Sequence, residues 1–126
     1  MPSPELPPCP FCVTTGAVLR HASAYARYDL NPVTRGHMLI IPLRHEADFF
    51  RTTEEERSAM LALLDDARSL LEREFHPDGY NVGVNVGVVA GQTIGHVHLH
   101  LIPRYHGDVE RPRGGVRGVI PSRQNY

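Results

Sequence analysis

The chain has 126 residues, enough for one domain with one real core but not for two. Its 41% hydrophobic and 21% charged content are those of a globular protein. It has neither an 18-residue apolar run to span a bilayer nor a basic-then-apolar leader, which points to a cytoplasmic protein. A net charge of -1 argues against an indiscriminate nucleic-acid binder, and because all 13 basic residues are arginine, Schiff-base and P-loop lysine chemistry are excluded.

Residues 1–10 contain five prolines and read as an extended arm leading into Cys9-Pro10-Phe11-Cys12. Short strands follow at Val18-Leu19 and Ala24–Tyr28, ending in the turn signal Asn31-Pro32. His37–Ile41 is an apolar strand stopped by Pro42. From about Thr53 to Phe75 the pattern is helical. Thr53 and Glu56 make a capping box, Glu54 and Glu55 sit in the electropositive first turn, and Met60, Leu63, Leu64, Ala67, Leu70 and Leu71 form one apolar stripe. Pro77-Asp78-Gly79 ends this helix, and Tyr80–Val86 alternates as a strand. A loop over 87–95 leads into Gly95-His96-Val97-His98-Leu99-His100-Leu101-Ile102, and the arginine- and glycine-bearing tail 105–126 reads as irregular. One helix among short strands joined by tight turns makes an antiparallel α+β domain spanning 1–126, with 1–12 as its arm.

Period-two alternation around His96, His98 and His100 predicts a strand with Val97, Leu99 and Leu101 facing a core and three imidazoles on the other face. Neighbours on one strand face lie about 6.6 Å apart, so His96 and His100 are about 13 Å apart and all three cannot close on one ion. A neutral imidazole is instead a good nucleophile toward phosphorus when its second ring nitrogen is fixed by an acceptor. The middle position favours His98 for that task. Cys9 and Cys12 offer a redox pair, free thiols, or half of a metal site that His45 and His96 would complete as a Cys2His2 set.

The run His-Val-His-Leu-His-Leu-Ile resembles the signature of the histidine triad superfamily. The likeness extends over nearly the whole chain, from Cys9 through His37-Met-Leu-Ile-Ile-Pro and Asn85…Gly91-Gln92-Thr93 to Pro103-Arg104. It implies a single domain with a five-stranded antiparallel sheet and one long helix, a homodimer, and nucleotide substrates with a cleavable bond at the α-phosphorus. By the same resemblance, His98 attacks that phosphorus to form a nucleotidyl-histidine, and His100 serves phosphate oxygens or the leaving group. His96 and His37 support His98. Asn85, Gly91, Gln92 and Thr93 match phosphate-contacting positions, and Asp29 matches a residue that binds ribose hydroxyls. Some members and the related galactose-1-phosphate uridylyltransferases hold zinc with the Cys-x-x-Cys pattern. That implies a structural zinc on Cys9, Cys12, His45 and His96 here. The Pro103-Arg104 ending resembles the diadenosine-polyphosphate hydrolases, so cleavage of dinucleoside polyphosphates is the leading expectation. Nucleoside phosphoramidase, nucleotidyltransferase or phosphorylase, and a zinc-stapled nucleotide-binding regulatory module are the alternatives. Arg104 and the tail arginines are either contacts to the distal phosphates or to the partner subunit's site, or a solvated tail.

Overall fold

The computed structural model describes residues 8–126, so most of the proline-rich arm lies outside the described residues. Five strands, β1 (Leu19–His21), β2 (Ala24–Tyr28), β3 (Met38–Pro42), β4 (Gly79–Val84) and β5 (Leu99–Arg104), form one open antiparallel sheet in the order β1-β2-β3-β5-β4. One helix, α1 (Glu54–Phe75), crosses one face. This is the single α+β domain that the sequence predicts.

Helix α1 starts where the capping box places it. The Glu56 amide donates to Thr53 Oγ1 (3.1 Å), and the Thr53 amide donates to Glu56 Oε1 (2.9 Å). It ends at His76, whose left-handed backbone (φ 50°) is followed by a proline that cannot continue the helix. Met60, Leu63, Ala67 and Leu71 are fully buried against Ala24, Ala26, Met38, Ile40, Leu99 and Leu101, while Leu64 and Leu70 pack at the margin. Burying each large side chain contributes about 1.5–3 kcal/mol, so this stripe is the main attachment of helix to sheet.

Glu56 has a second task. Arg44 grips its carboxylate in a fork (Nη2 to Oε1 2.9 Å, Nε to Oε2 3.2 Å), which ties the segment after β3 to the helix N-terminus and holds Glu56 below the usual carboxylate range. Because His45 follows Arg44 directly, the pair also anchors the segment that carries His45.

The opposite face of the sheet is covered near β2 and β3 by a smaller cluster of Phe11, Tyr25, Leu39 and Ile41, and farther along it bears His100, Asn81 and Ile102. Two expectations are corrected here. The histidine strand does not extend over all three imidazoles, because β5 begins at Leu99 and His96 and His98 precede it. Continued in register, Val97 would face Pro42, which has no N–H to give, and whose carbonyl is taken by the His96 ring (Nε2 to O 2.7 Å). The Val97 amide turns instead to the Glu46 carbonyl (2.7 Å), and His96 is wholly buried rather than sharing an open face.

The tail is also more ordered than the sequence suggests. Short 3-10 turns form at Gly115–Val119 and Pro121–Arg123. Gly114 has φ 89°, and a Cβ there would overlap the Gln124 carbonyl, so the segment folds on itself only with glycine at that position. The Tyr126 ring lies 4.6 and 4.8 Å from the Arg113 and Arg117 guanidinium carbons, which closes the tail.

Candidate active site and metal cluster

The site is built where β5 runs beside β3 and the segment before it meets Phe11 and the cysteines of the N-terminal arm. His98 has a ring nitrogen, Nδ1, 2.9 Å from the His96 carbonyl. A carbonyl only accepts, so Nδ1 carries the proton and Nε2 keeps its lone pair. The neighbouring ring is locked in the opposite sense. The Val33 amide donates to His37 Nδ1 (3.0 Å), which leaves the proton of His37 on Nε2. That nitrogen donates to His100 Nδ1 (2.9 Å), so neutral His100 carries its proton on Nε2. The two rings, with centroids 5.1 Å apart, therefore present a lone pair and an N–H donor side by side. This pairing is suited to attack on an electron-poor centre with a hydrogen-bond donor to the charge that develops.

Burial keeps the supporting pair neutral. Desolvation lowers His37, opposed by the Asp29 carboxylate, and lowers His100 to about 4, helped by the positive charge His98 and His37 would carry. The sign for stability follows. Between about pH 6.5 and about 4 the unfolded chain binds protons that folded His100 refuses, so stability falls as pH drops through that window, with His37 acting in the same direction. The urea midpoint is expected to be lower at pH 5 than at pH 7, and the difference is expected to shrink in His100→Gln. A midpoint that does not fall on acidification would contradict a neutral, buried His100.

Asp29 stands beside this pair. One oxygen accepts from the Asn31 amide (2.9 Å) and the other lies 3.5 Å from His37 Nε2. A cleft of about 470 Å³ opens next to His100 and His37, lined also by Val33, Asn81, Gly83 and Asn85. Its far wall is Gly115, Val116, Gly118 and Val119 from the tail, a contribution that no periodicity or motif in the sequence signals. Gly91, with φ 97°, turns the loop beneath Asn85, and Thr93 is exposed on it. Gln92 spends its side chain on the loop itself. It accepts from the Gly87 amide (2.9 Å) and donates to the carbonyls of Ala47 (2.8 Å) and Ile94 (3.1 Å). Arg104 is likewise committed, forked onto Asp108 (2.8 Å twice) and bonded to Asn81 (2.6 Å), and this contact holds the Asp108 carboxyl well below its ordinary range.

The cysteines come together with the histidines expected of them. Cys9 Sγ is 3.5 Å and Cys12 Sγ 3.6 Å from His96 Nδ1, Cys12 Sγ is 3.2 Å from His45 Nδ1, and all four donor atoms lie within 4.8 Å of one another. A tetrahedral ion with metal–sulfur bonds of about 2.3 Å and metal–nitrogen bonds of about 2.0–2.1 Å holds its donors at about that spacing. The His96 ring donates its remaining N–H to Pro42 O, the outer contact that orients a ligating imidazole. This cluster could hold a metal ion.

An open five-stranded antiparallel sheet, one covering helix and three alternating histidines leading into β5 define the histidine-triad class of protein. The model of the HIT domain matches residues 13–107, and the chain belongs to that family. A HIT-like protein of Methanocaldococcus jannaschii is 34% identical over 118 residues, covering 88% of this chain and 91% of that one. An AP-4-A phosphorylase of Mycobacterium tuberculosis is 33% identical over 92 residues, covering 72% of this chain but only 47% of its own length. Among solved structures, a HIT family protein from Bacillus anthracis superposes with a TM-score of 0.74 at 36% identity, covering 80% of this chain and 76% of that one. A Zn-bound histidine triad family protein from Mycobacterium smegmatis gives 0.72 at 33%, with coverages of 80% and 78%.

Proposed function

We propose that this protein is a nucleotide hydrolase that cleaves dinucleoside polyphosphates at the α-phosphorus through His98. The observation that carries the reading is the opposed tautomers of two adjacent rings. His98 Nε2 is a free lone pair because His96 O holds Nδ1, and His100 Nε2 is an N–H donor because His37 holds its Nδ1. His98 Nε2 attacks the α-phosphorus and displaces the rest of the substrate as a nucleoside polyphosphate. Water then displaces His98 and leaves a nucleoside monophosphate. Splitting one displacement into two is the gain of covalent catalysis, and an N–H donor already in place meets the charge on the phosphoryl oxygens without reorganisation.

Asn85 and Thr93 flank the phosphates in this reading, Gly91 lets the loop approach them, and Asp29 takes the ribose hydroxyls. Gln92 contributes by holding the loop. Zinc on Cys9, Cys12, His45 and His96 is structural: four protein donors leave no open position, so the ion would brace the arm rather than activate water. The Zn-bound relative supports that assignment. The working form is a homodimer in the cytoplasm.

The M. tuberculosis relative supports one competing outcome, in which phosphate rather than water resolves the nucleotidyl-histidine. Products of diadenosine polyphosphates and adenosine phosphoramidates, measured with and without added phosphate, decide between them. AMP from diadenosine polyphosphates supports hydrolysis, ADP formed from diadenosine tetraphosphate only when phosphate is added supports the phosphorylase, and AMP from phosphoramidates alone supports the phosphoramidase. No nucleotide product from any substrate would overturn the catalytic assignment.

A further inference from the structure

Among the described residues, His98 has one side-chain hydrogen bond, to the His96 carbonyl. A single bond at Nδ1 sets the tautomer only while the ring stays on that contact, and by itself leaves the ring free to swing away from it. Besides the His100 ring, whose centroid is 5.1 Å away, a second aromatic ring constrains it. Phe11, only 6% exposed, meets the His98 ring edge-on with centroids 4.9 Å apart and planes at 65°. Phe11 is itself held firmly. Its ring packs with Tyr25, Leu39 and Ile41, and Tyr25 Oη donates to its carbonyl (2.7 Å).

Both contacts have the same origin. Phe11 stands between Cys9 and Cys12 in a turn closed by the Cys12 amide on the Cys9 carbonyl (3.2 Å), and the carbonyl that orients His98 belongs to His96. We propose that Phe11 is a positioning residue for His98, and that Phe11 and the His96 carbonyl form a two-point grip on the ring, both points carried by the Cys9/Cys12/His45/His96 cluster. This rests on His98 being the nucleophile. The grip gives the cluster a consequence at the reacting atom although none of its four donors needs to touch substrate. A ring displaced by about 1 Å from its attack geometry loses up to about 10²-fold in rate, which is the scale on which such a grip would act.

The test is Phe11→Leu, which keeps apolar bulk but removes the ring. In the substrate-free protein, nitrogen-15 NMR of the histidine side chains is expected to show His98 as a single Nδ1–H tautomer in the wild type. In the variant the tautomers should be averaged, with bound metal unchanged. In turnover assays the variant should lose about 10–100-fold in kcat with KM within about twofold. Removing the metal from the wild type with a chelator should produce the same averaging. The proposal is overturned by a variant whose His98 signals match the wild type, by altered signals with kcat unchanged, or by a change confined to KM, which would make Phe11 a wall of the substrate site instead. If Phe11→Leu does not fold or does not retain metal, Phe11→Met is measured in the same way and judged by the same outcomes. Because the spectra need no substrate, a wild type that hydrolyses nothing sinks the proposed function while leaving the grip to stand or fall on the NMR result.

Discussion

Replacing His98 with alanine is expected to lower nucleotide release from diadenosine polyphosphates by at least about 10³-fold while nucleotide affinity stays within a few-fold of wild type. The reason is local. His98 Nε2 is the lone pair that the backbone exposes, and its neighbour cannot replace it, because the proton of His100 sits on Nε2 and its other nitrogen faces His37. Losing His100 is a smaller loss, since a donor to the phosphoryl oxygens is removed but the attacking atom remains; about 10²-fold is expected for His100→Ala. Rapid-quench product analysis with calorimetric titration of a non-hydrolysable analogue separates the two quantities. If His98→Ala keeps a tenth of its turnover, the covalent route is wrong. If it loses binding and turnover together, the residue is part of the nucleotide site rather than its nucleophile.

The second large effect concerns the metal cluster. Cys12→Ser is expected to reduce bound zinc from about one equivalent to less than about half, and to cost about 3–4 kcal/mol of stability where free zinc exceeds its dissociation constant by about 10³-fold. Cys12 is the better choice because it is exposed, so serine there loses a thiolate without leaving a cavity, whereas replacing the wholly buried His96 would confound metal loss with packing loss. The cost is large because the four donors tie together residues 9, 12, 45 and 96, and the links from 12 to 45 and from 45 to 96 each close a long loop of the unfolded chain. Metal analysis and urea unfolding of both proteins, with and without chelator, measure the effect. A chelator that leaves the wild-type midpoint unchanged would remove zinc from the account of this fold.

Much of this architecture was legible in one dimension because it depends on short-range rules. A capping box at Thr53 and Glu56, six apolar residues at helical spacing, and a proline two residues after Phe75 mark α1 without reference to anything else in the molecule. Alternation in β5 holds from Leu99 onward, with Leu99, Leu101 and Pro103 buried and His100, Ile102 and Arg104 half-buried. The same rule misplaced His96, since period-two reasoning assumes that the backbone stays in the ladder. Here a partner without an N–H and a competing carbonyl at Glu46 draw it out. Arg104 could be read either as a phosphate contact or as a solvated side chain; its engagement by Asp108 and Asn81 is a matter of three-dimensional proximity that spacing does not encode.

By itself, the sequence determined the elements and the residue types that chemistry needs: one helix, short antiparallel strands, three alternating histidines, and two thiols separated by two residues in the arm. Each follows from local backbone geometry or from the intrinsic chemistry of a side chain. The family resemblance already implied three different roles for those histidines; only the tertiary structure supplied the contacts that separate them. His96 turns inward to the thiols and Pro42, His98 is oriented by a backbone carbonyl and by Phe11, and His100 is paired with a histidine 63 positions earlier. A tautomer is set by whichever donor or acceptor stands within about 3 Å, and strands distant in sequence supply those partners only once the sheet has closed.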